Sequence, residues 1–250
     1  MQKLSVPLGM HGADTNILLP QVNMGKAFHG TDSLELYKAS QLKKPASWPY
    51  HTKPVAYTWN RNGYRCKEWA DVDWATSIVV MGCSMIAGIG LDDADTITSH
   101  MQDTLGMQVV NLGVPAGAAD VLYYNSMRLA DLNIRPRAVA VVAPAWARCT
   151  YFDQPQSWNL GPWYLHGMIE DAYLSTYYKY HTGRTPNAEL HGYMSLRAIH
   201  SLWTSVGVAC EVWEHTDMPP FIDTARDLQH PGIATAKTWA SHLSTWVQSL

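Results

Sequence analysis

Four short apolar runs, set apart by helix-length stretches, constrain this chain more than any other feature. Residues 78–81, 109–112, 138–143 and 206–213 are rich in Val, Ile and Ala, and none is long enough for a helix. Runs apolar on both faces are what central parallel strands need, since helices cover each side of such a sheet. The intervening pieces supply those helices. Ile97, Met101 and Leu105 recur in steps of four behind the acidic caps Asp92 to Asp95, and Gly106 stands in the usual C-terminal stop position. Residues 117–132 place Ala118, Val121, Leu122 and Leu129 on one face. A further helix is expected over 188–203, and a last one opening at Pro231, with Ile233, Ala236, Trp239, Leu243, Trp246 and Leu250 as its inner face. The expected fold is α/β, a mostly parallel sheet of about five strands between two helical layers.

Residues 1–75 do not follow this pattern and read as an extended N-terminal arm laid over a domain spanning 76–250. Five prolines fall among polar and aromatic residues in its first 57 positions. One short helix is expected through Leu36 to Ala39, capped by Thr31 or Asp32 with Glu35 reaching back. Asn62-Gly63 between aromatic residues signals a hairpin. A second departure is the ring-rich insertion at 146–187, which includes Trp146, Tyr151, Trp158, Trp163, Tyr164, Tyr173, Tyr177 and Tyr178. Such a stretch serves equally as a sugar-stacking platform, a lid or a satellite core.

Several function classes fall away on composition. The net charge of -3, from 18 basic and 21 acidic residues, leaves no basic stripe for nucleic acid. The longest apolar run contains Pro144 and is too short for a bilayer, and Pro7, Gly9 and His11 break the opening stretch as a secretory leader. A cytoplasmic protein without membrane contact is expected. Cys66, Cys83, Cys149 and Cys210 form no Cys-x-x-Cys pair and read as reduced thiols, and the histidines show no zinc spacing, so no metal is expected. The sequence is silent on oligomeric state.

Two stretches carry the chemistry. From 77 to 90 the chain reads Ser-Ile-Val-Val-Met-Gly-Cys-Ser-Met-Ile-Ala-Gly-Ile-Gly. Gly82 ends the strand, and Ser84 comes at the first turn beyond, at the carboxyl edge where open α/β sheets keep their ligand crevices. A serine there either faces the crevice or caps the next helix. Cys83 points elsewhere if Ser84 faces the crevice, because adjacent residues leaving a strand diverge. Near the C-terminus stands Asp227-Leu-Gln-His230-Pro231-Gly232. Three residues of extended chain reach at most ~10 Å, so one turn folds the carboxylate onto the imidazole. Such a pair fixes the ring tautomer and leaves Nε2 free to take a proton from a hydroxyl such as that of Ser84. The same pair also serves as a plain surface cap on the last helix.

Gly82-Cys-Ser84, Gly113 after the second strand and Asp227-x-x-His230, in that order, resemble the SGNH (GDSL-type) hydrolase family over roughly residues 76–146 and 205–250. Residues 57–65 more loosely resemble the lead-in of phage and environmental members. The resemblance implies a flavodoxin-like, three-layer α/β/α domain and an esterase that needs no cofactor. It implies Ser84 as nucleophile, His230 as general base and acid, Asp227 as its orienting partner, and the Ser84 and Gly113 N–H groups as oxyanion donors. A small-molecule or carbohydrate ester, such as an O-acetylated sugar, is the implied substrate. One block departs from the family pattern. Where Gly-x-Asn-Asp is usual, this chain reads Val142-Ala-Pro-Ala-Trp-Ala-Arg148 and lacks the asparagine donor. Trp146, Arg148 and Asn111 are the candidates to replace it or to bind substrate. The alternative is a weakened relative that binds a glycan or a protein through Trp146, Trp158 and Trp163.

Overall fold

The structure is a computed structural model that describes residues 27–153, 156–165, 171–181 and 185–250. The opening stretch read as lacking a leader lies outside the described residues. Four strands form the central sheet: β1 (Ile78–Gly82), β2 (Val109–Gly113), β3 (Ala138–Val142) and, later in the chain, β6 (Ala209–Trp213). Their order is β2-β1-β3-β6, all parallel, with Met81 opposite Leu112 on one side and Val141 on the other. Strand order reverses at β1, so the crevice of the open sheet lies at its carboxyl end.

Strand residues alternate between two buried layers, as the pleat requires. Ile78, Val80, Ala138, Ala140 and Val142 face the core shared by α3 (Ile97–Leu105) and α7 (Ile233–Gln248). Val79, Met81, Val110, Leu112, Val139 and Val141 face the core of α4 (Ala119–Asp131) and α6 (Thr185–Ser205). Trp239 and Trp203 are the bulkiest fillers of the two layers. No helix among the described residues is long and apolar enough to cross a membrane.

Among the described residues the sheet has four strands, where about five were expected. The other described strands, β4 (Cys149–Asp153) and β5 (Gln156–Leu160), pair antiparallel as a hairpin outside it. That hairpin and α5 (Ala172–His181) share a satellite core of Leu160, Tyr164, Leu174 and Tyr178. The strand read from Val206 starts at Ala209, because Gly207 turns the chain with φ +77°. The last helix starts at Ile233 rather than Pro231. Asp223 caps it instead, accepting from Ala234 N at 3.0 Å and Thr235 N at 2.9 Å, while Pro231 bridges back to Thr224.

Two expectations for the arm are corrected. Helix α1 (Leu34–Gln41) is capped by Ser33, whose hydroxyl accepts from Leu36 N at 3.1 Å, while Thr31 and Asp32 turn elsewhere. No strand flanks Asn62-Gly63. The Asn60 side chain instead closes a tight turn by accepting from Asn62 N and Tyr64 N, both at 3.0 Å. Paired strands would keep the flanking rings side by side, but Tyr57 enters one core layer and Tyr64 the other.

Arg65 ties this segment to residues 87–93, the stretch that follows β1. Its side chain is 1% exposed, pairs with Asp93 and donates to the carbonyls of Ala56, Ala87, Gly88 and Leu91. Replacing a buried guanidinium strands all of these acceptors. Arg65→Met is expected to lower the unfolding free energy by about 3–5 kcal/mol, read from the denaturant midpoint.

Candidate active site

Ser84 opens the one-turn helix α2 (Ser84–Ala87) directly after β1. Gly88 ends that turn in the left-handed region at φ +73°, where a Cβ would lie 2.6 Å from Thr96. The chain then bends again at Gly90, φ +81°, and there meets the loop from the far end of the sequence. A Cβ on Gly90 would lie 2.8 Å from the Ala225 Cβ, 3.1 Å from Arg226 N and 3.2 Å from Asp227 N. The absence of a side chain lets Arg226 N donate to Gly90 O at 3.1 Å.

The loop itself is wound tightly. Leu228 adopts φ +62°, a left-handed conformation that costs a non-glycine residue roughly 1–2 kcal/mol. Ala225 N donates to His230 O at 2.9 Å, and Asp227 Oδ1 accepts from Gln229 N at 3.1 Å and His230 N at 3.0 Å. This Asx-type turn folds the carboxylate back over the ring that follows it. Asp227 Oδ2 then holds His230 Nδ1 in a hydrogen bond, and His230 Nε2 lies 2.7 Å from Ser84 Oγ. The three side chains expected from the two motifs are therefore in one hydrogen-bonded line.

Access is graded along that line. The Asp227 side chain is fully buried, His230 is 13% exposed and Ser84 is 7% exposed. Burial alone would push the Asp227 carboxyl up. The hydrogen bond and charge of His230, with the Thr31 hydroxyl and the His230 N–H, outweigh it and hold the group below its ordinary value. Cys83, next to the serine, is 2% exposed within the core.

The other expected residues are placed differently. Gly113 lies opposite Gly82 at the end of β2, and a Cβ there would come within 2.2 Å of Ala87 N. Its N–H does not face the crevice, because Asn111 Oδ1 accepts it at 2.9 Å. Asn111 is also withdrawn: it is 1% exposed, and its amide donates to Ile86 O at 2.7 Å and Thr98 Oγ1 at 3.1 Å. Its work is to fasten β2 to α2. Arg148 donates to Gly117 O at 3.4 Å and lies over the Trp163 ring. Trp146 packs so closely on Gly192 that a Cβ there would meet its ring at 2.4 Å. No described hydrogen bond joins Asn111, Trp146 or Arg148 to Ser84 or His230.

Trp146 does line a cavity of about 600 Å³, with Pro144, Leu165, Tyr178, Glu189 and His215 among its walls. Neither Ser84 nor His230 lines it. It opens where the chain leaves β3 and β6, the same sheet edge from which Ser84 leaves β1. The hydrogen-bonded line of Asp227, His230 and Ser84 and this cavity are neighbours along that edge.

Sequence reasoning missed Thr31 and Asp32 as parts of this site. Thr31 Oγ1 donates to Asp227 Oδ2 at 2.5 Å. Asp32, 1% exposed, accepts from Arg226 Nε at 2.8 Å and Nη2 at 2.5 Å, and from Tyr57 Oη at 2.6 Å. Nothing local pairs Thr31 with Asp227 or Asp32 with Arg226, since each pair lies nearly 200 positions apart in the chain.

Two outcomes follow from this geometry. Gly90→Ala is expected to drive residues 225–227 away and to lower the melting temperature, as read by thermal melts. The depressed Asp227 carboxyl contributes stability that is fully present above the unfolded value of 3.8 and is lost as pH falls through the lower folded value. The wild-type melting temperature should therefore drop more steeply below pH 3.8 than that of Asp227→Asn, in parallel melts across that range.

No family model and no curated protein matches the chain by sequence. Solved structures with a similar fold include a carbohydrate acetylesterase from Sinorhizobium meliloti, at TM-score 0.37 and 13% identity over 70% of this chain and 99% of that one. An inhibitor-bound aryl esterase from M. smegmatis gives TM-score 0.37 and 14% identity over 70% and 100%. A member of the lipolytic G-D-S-L family from Veillonella parvula gives 0.35 and 11% over 70% and 72%. Values of this size give no residue-by-residue correspondence.

Proposed function

We propose that the chain is a serine hydrolase that cleaves short-chain acyl esters through an acyl-enzyme on Ser84. The observation that carries this reading is the 2.7 Å approach of His230 Nε2 to Ser84 Oγ, with Asp227 held on Nδ1. Ser84 Oγ attacks the ester carbonyl carbon while its proton passes to His230 Nε2. Asp227 keeps the ring oriented and stabilises the imidazolium. The alcohol then leaves with the proton from Nε2. Water, deprotonated by the same nitrogen, attacks the acyl group and releases the carboxylic acid and free Ser84.

The oxyanion that forms in each step needs donors. The Ser84 N–H is one, since the first N–H of a helix has no acceptor inside it. The Gly113 N–H is occupied by Asn111, and the stretch 143–148 directly after β3 holds no asparagine. Each missing donor typically lowers kcat about 100- to 1000-fold. Slow turnover is therefore part of this reading, and only small acyl groups suit a nucleophile this buried. An acetyl group on a carbohydrate is the substrate class we favour. The cavity at the same edge offers the rings of Trp146 and Tyr178, whose electron-rich faces suit the C–H face of a sugar ring.

Labelling by a fluorophosphonate with peptide mapping tests the reading. The wild-type protein should carry the label on Ser84 and hydrolyse p-nitrophenyl acetate faster than the octanoate. Ser84→Ala should lose both. Full activity in Ser84→Ala, or a label on another residue, would remove Ser84 from the mechanism.

A further inference from the structure

The Asp227 carboxylate has two oxygens with distinct work. Oδ1 serves the turn through the N–H groups of Gln229 and His230. Oδ2 takes His230 Nδ1 and also the hydroxyl of Thr31, a residue outside both motifs. The Thr31 oxygen is 3.4 Å from His230 Nδ1, so it stands at the junction of the carboxylate and the ring. Asp227 has no exposed side-chain surface, whereas Thr31 lies at the protein surface. Thr31 thus covers the acid end of the line.

Thr31 is held there by its neighbour. Asp32 forms a bidentate ion pair with Arg226, the residue directly before Asp227. Arg226 Nη2 donates also to Ala27 O at 2.8 Å, and its guanidinium lies 4.3 Å from the Phe28 ring centroid and 5.2 Å from that of Tyr37. Tyr57 Oη donates to Asp32 and accepts from Gly90 N at 2.7 Å, which joins the same hub to the loop that follows Ser84. Residues 27–37 are therefore pinned to both loops of the site, with the Thr31 hydroxyl aimed at one carboxylate oxygen. A bidentate Arg–carboxylate pair fixes angle as well as distance, which is what presenting a single hydroxyl requires.

We propose that Thr31 is a positioning residue that acts through Asp227, holding Oδ2 against His230 Nδ1 so that Nε2 stays aligned with Ser84. Asp32 and Arg226 are its anchor. The proposal rests on the serine-hydrolase reading and extends the line to a fourth member supplied by the N-terminal segment. Its effect falls on the chemical step and not on substrate capture, because Thr31 touches neither Ser84 nor the crevice cavity.

Thr31→Val removes the hydroxyl while keeping the β-branched shape, and Thr31→Ser keeps the hydroxyl. In Thr31→Val, kcat for p-nitrophenyl acetate is expected to fall about tenfold with KM within twofold of wild type. In ¹⁵N-histidine-labelled protein, the downfield proton resonance on His230 Nδ1 should shift or broaden by exchange with water. Thr31→Ser should restore both readouts, and the melting temperatures separate these effects from unfolding. A Thr31→Val protein with wild-type kcat and an unchanged His230 resonance overturns the proposal, as does a folded Thr31→Ser that is as impaired as the valine variant. The resonance also separates the two layers of inference. A wild type without turnover or label sinks the hydrolase reading and the kinetic claim, while an Nδ1 proton that still responds to Thr31→Val upholds the positioning contact.

Discussion

The contact on which the site depends is the meeting of Gly90 with residues 225–227. Ser84 and His230 are 146 positions apart, and they reach hydrogen-bonding distance because two loops share one backbone bond with no side chain between them. The sheet provides the first half of that meeting. Parallel order β2-β1-β3-β6 puts the end of β1 at the point where the crossovers diverge, and helix α7 packs the C-terminal segment onto the same side of the sheet. The second half is local winding: an Asx turn, a left-handed leucine and a capping aspartate set the direction of one imidazole.

A buried ion pair is a poor source of net stability, because desolvation offsets most of its attraction. Asp32–Arg226 is better understood as a device for register. It ties a segment from the start of the described chain to the residue beside Asp227, and the rings of Phe28 and Tyr37 restrict the guanidinium further. Tyr57 carries the tie on to Gly90, so the loop at residues 225–230, the loop after Ser84 and the N-terminal segment share one hydrogen-bonded hub.

Much of this was legible in the sequence. The strands at 78–81, 109–112 and 138–143 were visible because both of their faces are buried, which makes continuous apolar runs. The short Asp-x-x-His spacing was visible because one turn suffices to close it. The arm was harder. Thr31 and Asp32 have the chemistry of helix caps, and only tertiary contacts reveal that Ser33 caps α1 and leaves them to Asp227 and Arg226. Asn62-Gly63 has hairpin chemistry, but opposite cores draw the flanking tyrosines apart. The orientation of the Gly113 N–H was hidden for a similar reason. An asparagine two residues earlier accepts it, and spacing alone does not say which way an amide turns.

The hub at Asp32 also sets where the smallest fragment with an intact Asp227–His230–Ser84 line would begin. A fragment excised at residue 76 would keep Ser84, Gly113, Asp227, His230 and the whole parallel sheet. It would nonetheless leave the Asp227 carboxylate unroofed and Arg226 with an unmatched charge. Motif boundaries and the boundary of the working unit therefore differ in this chain by at least 45 residues, the distance from Thr31 to the start of that fragment.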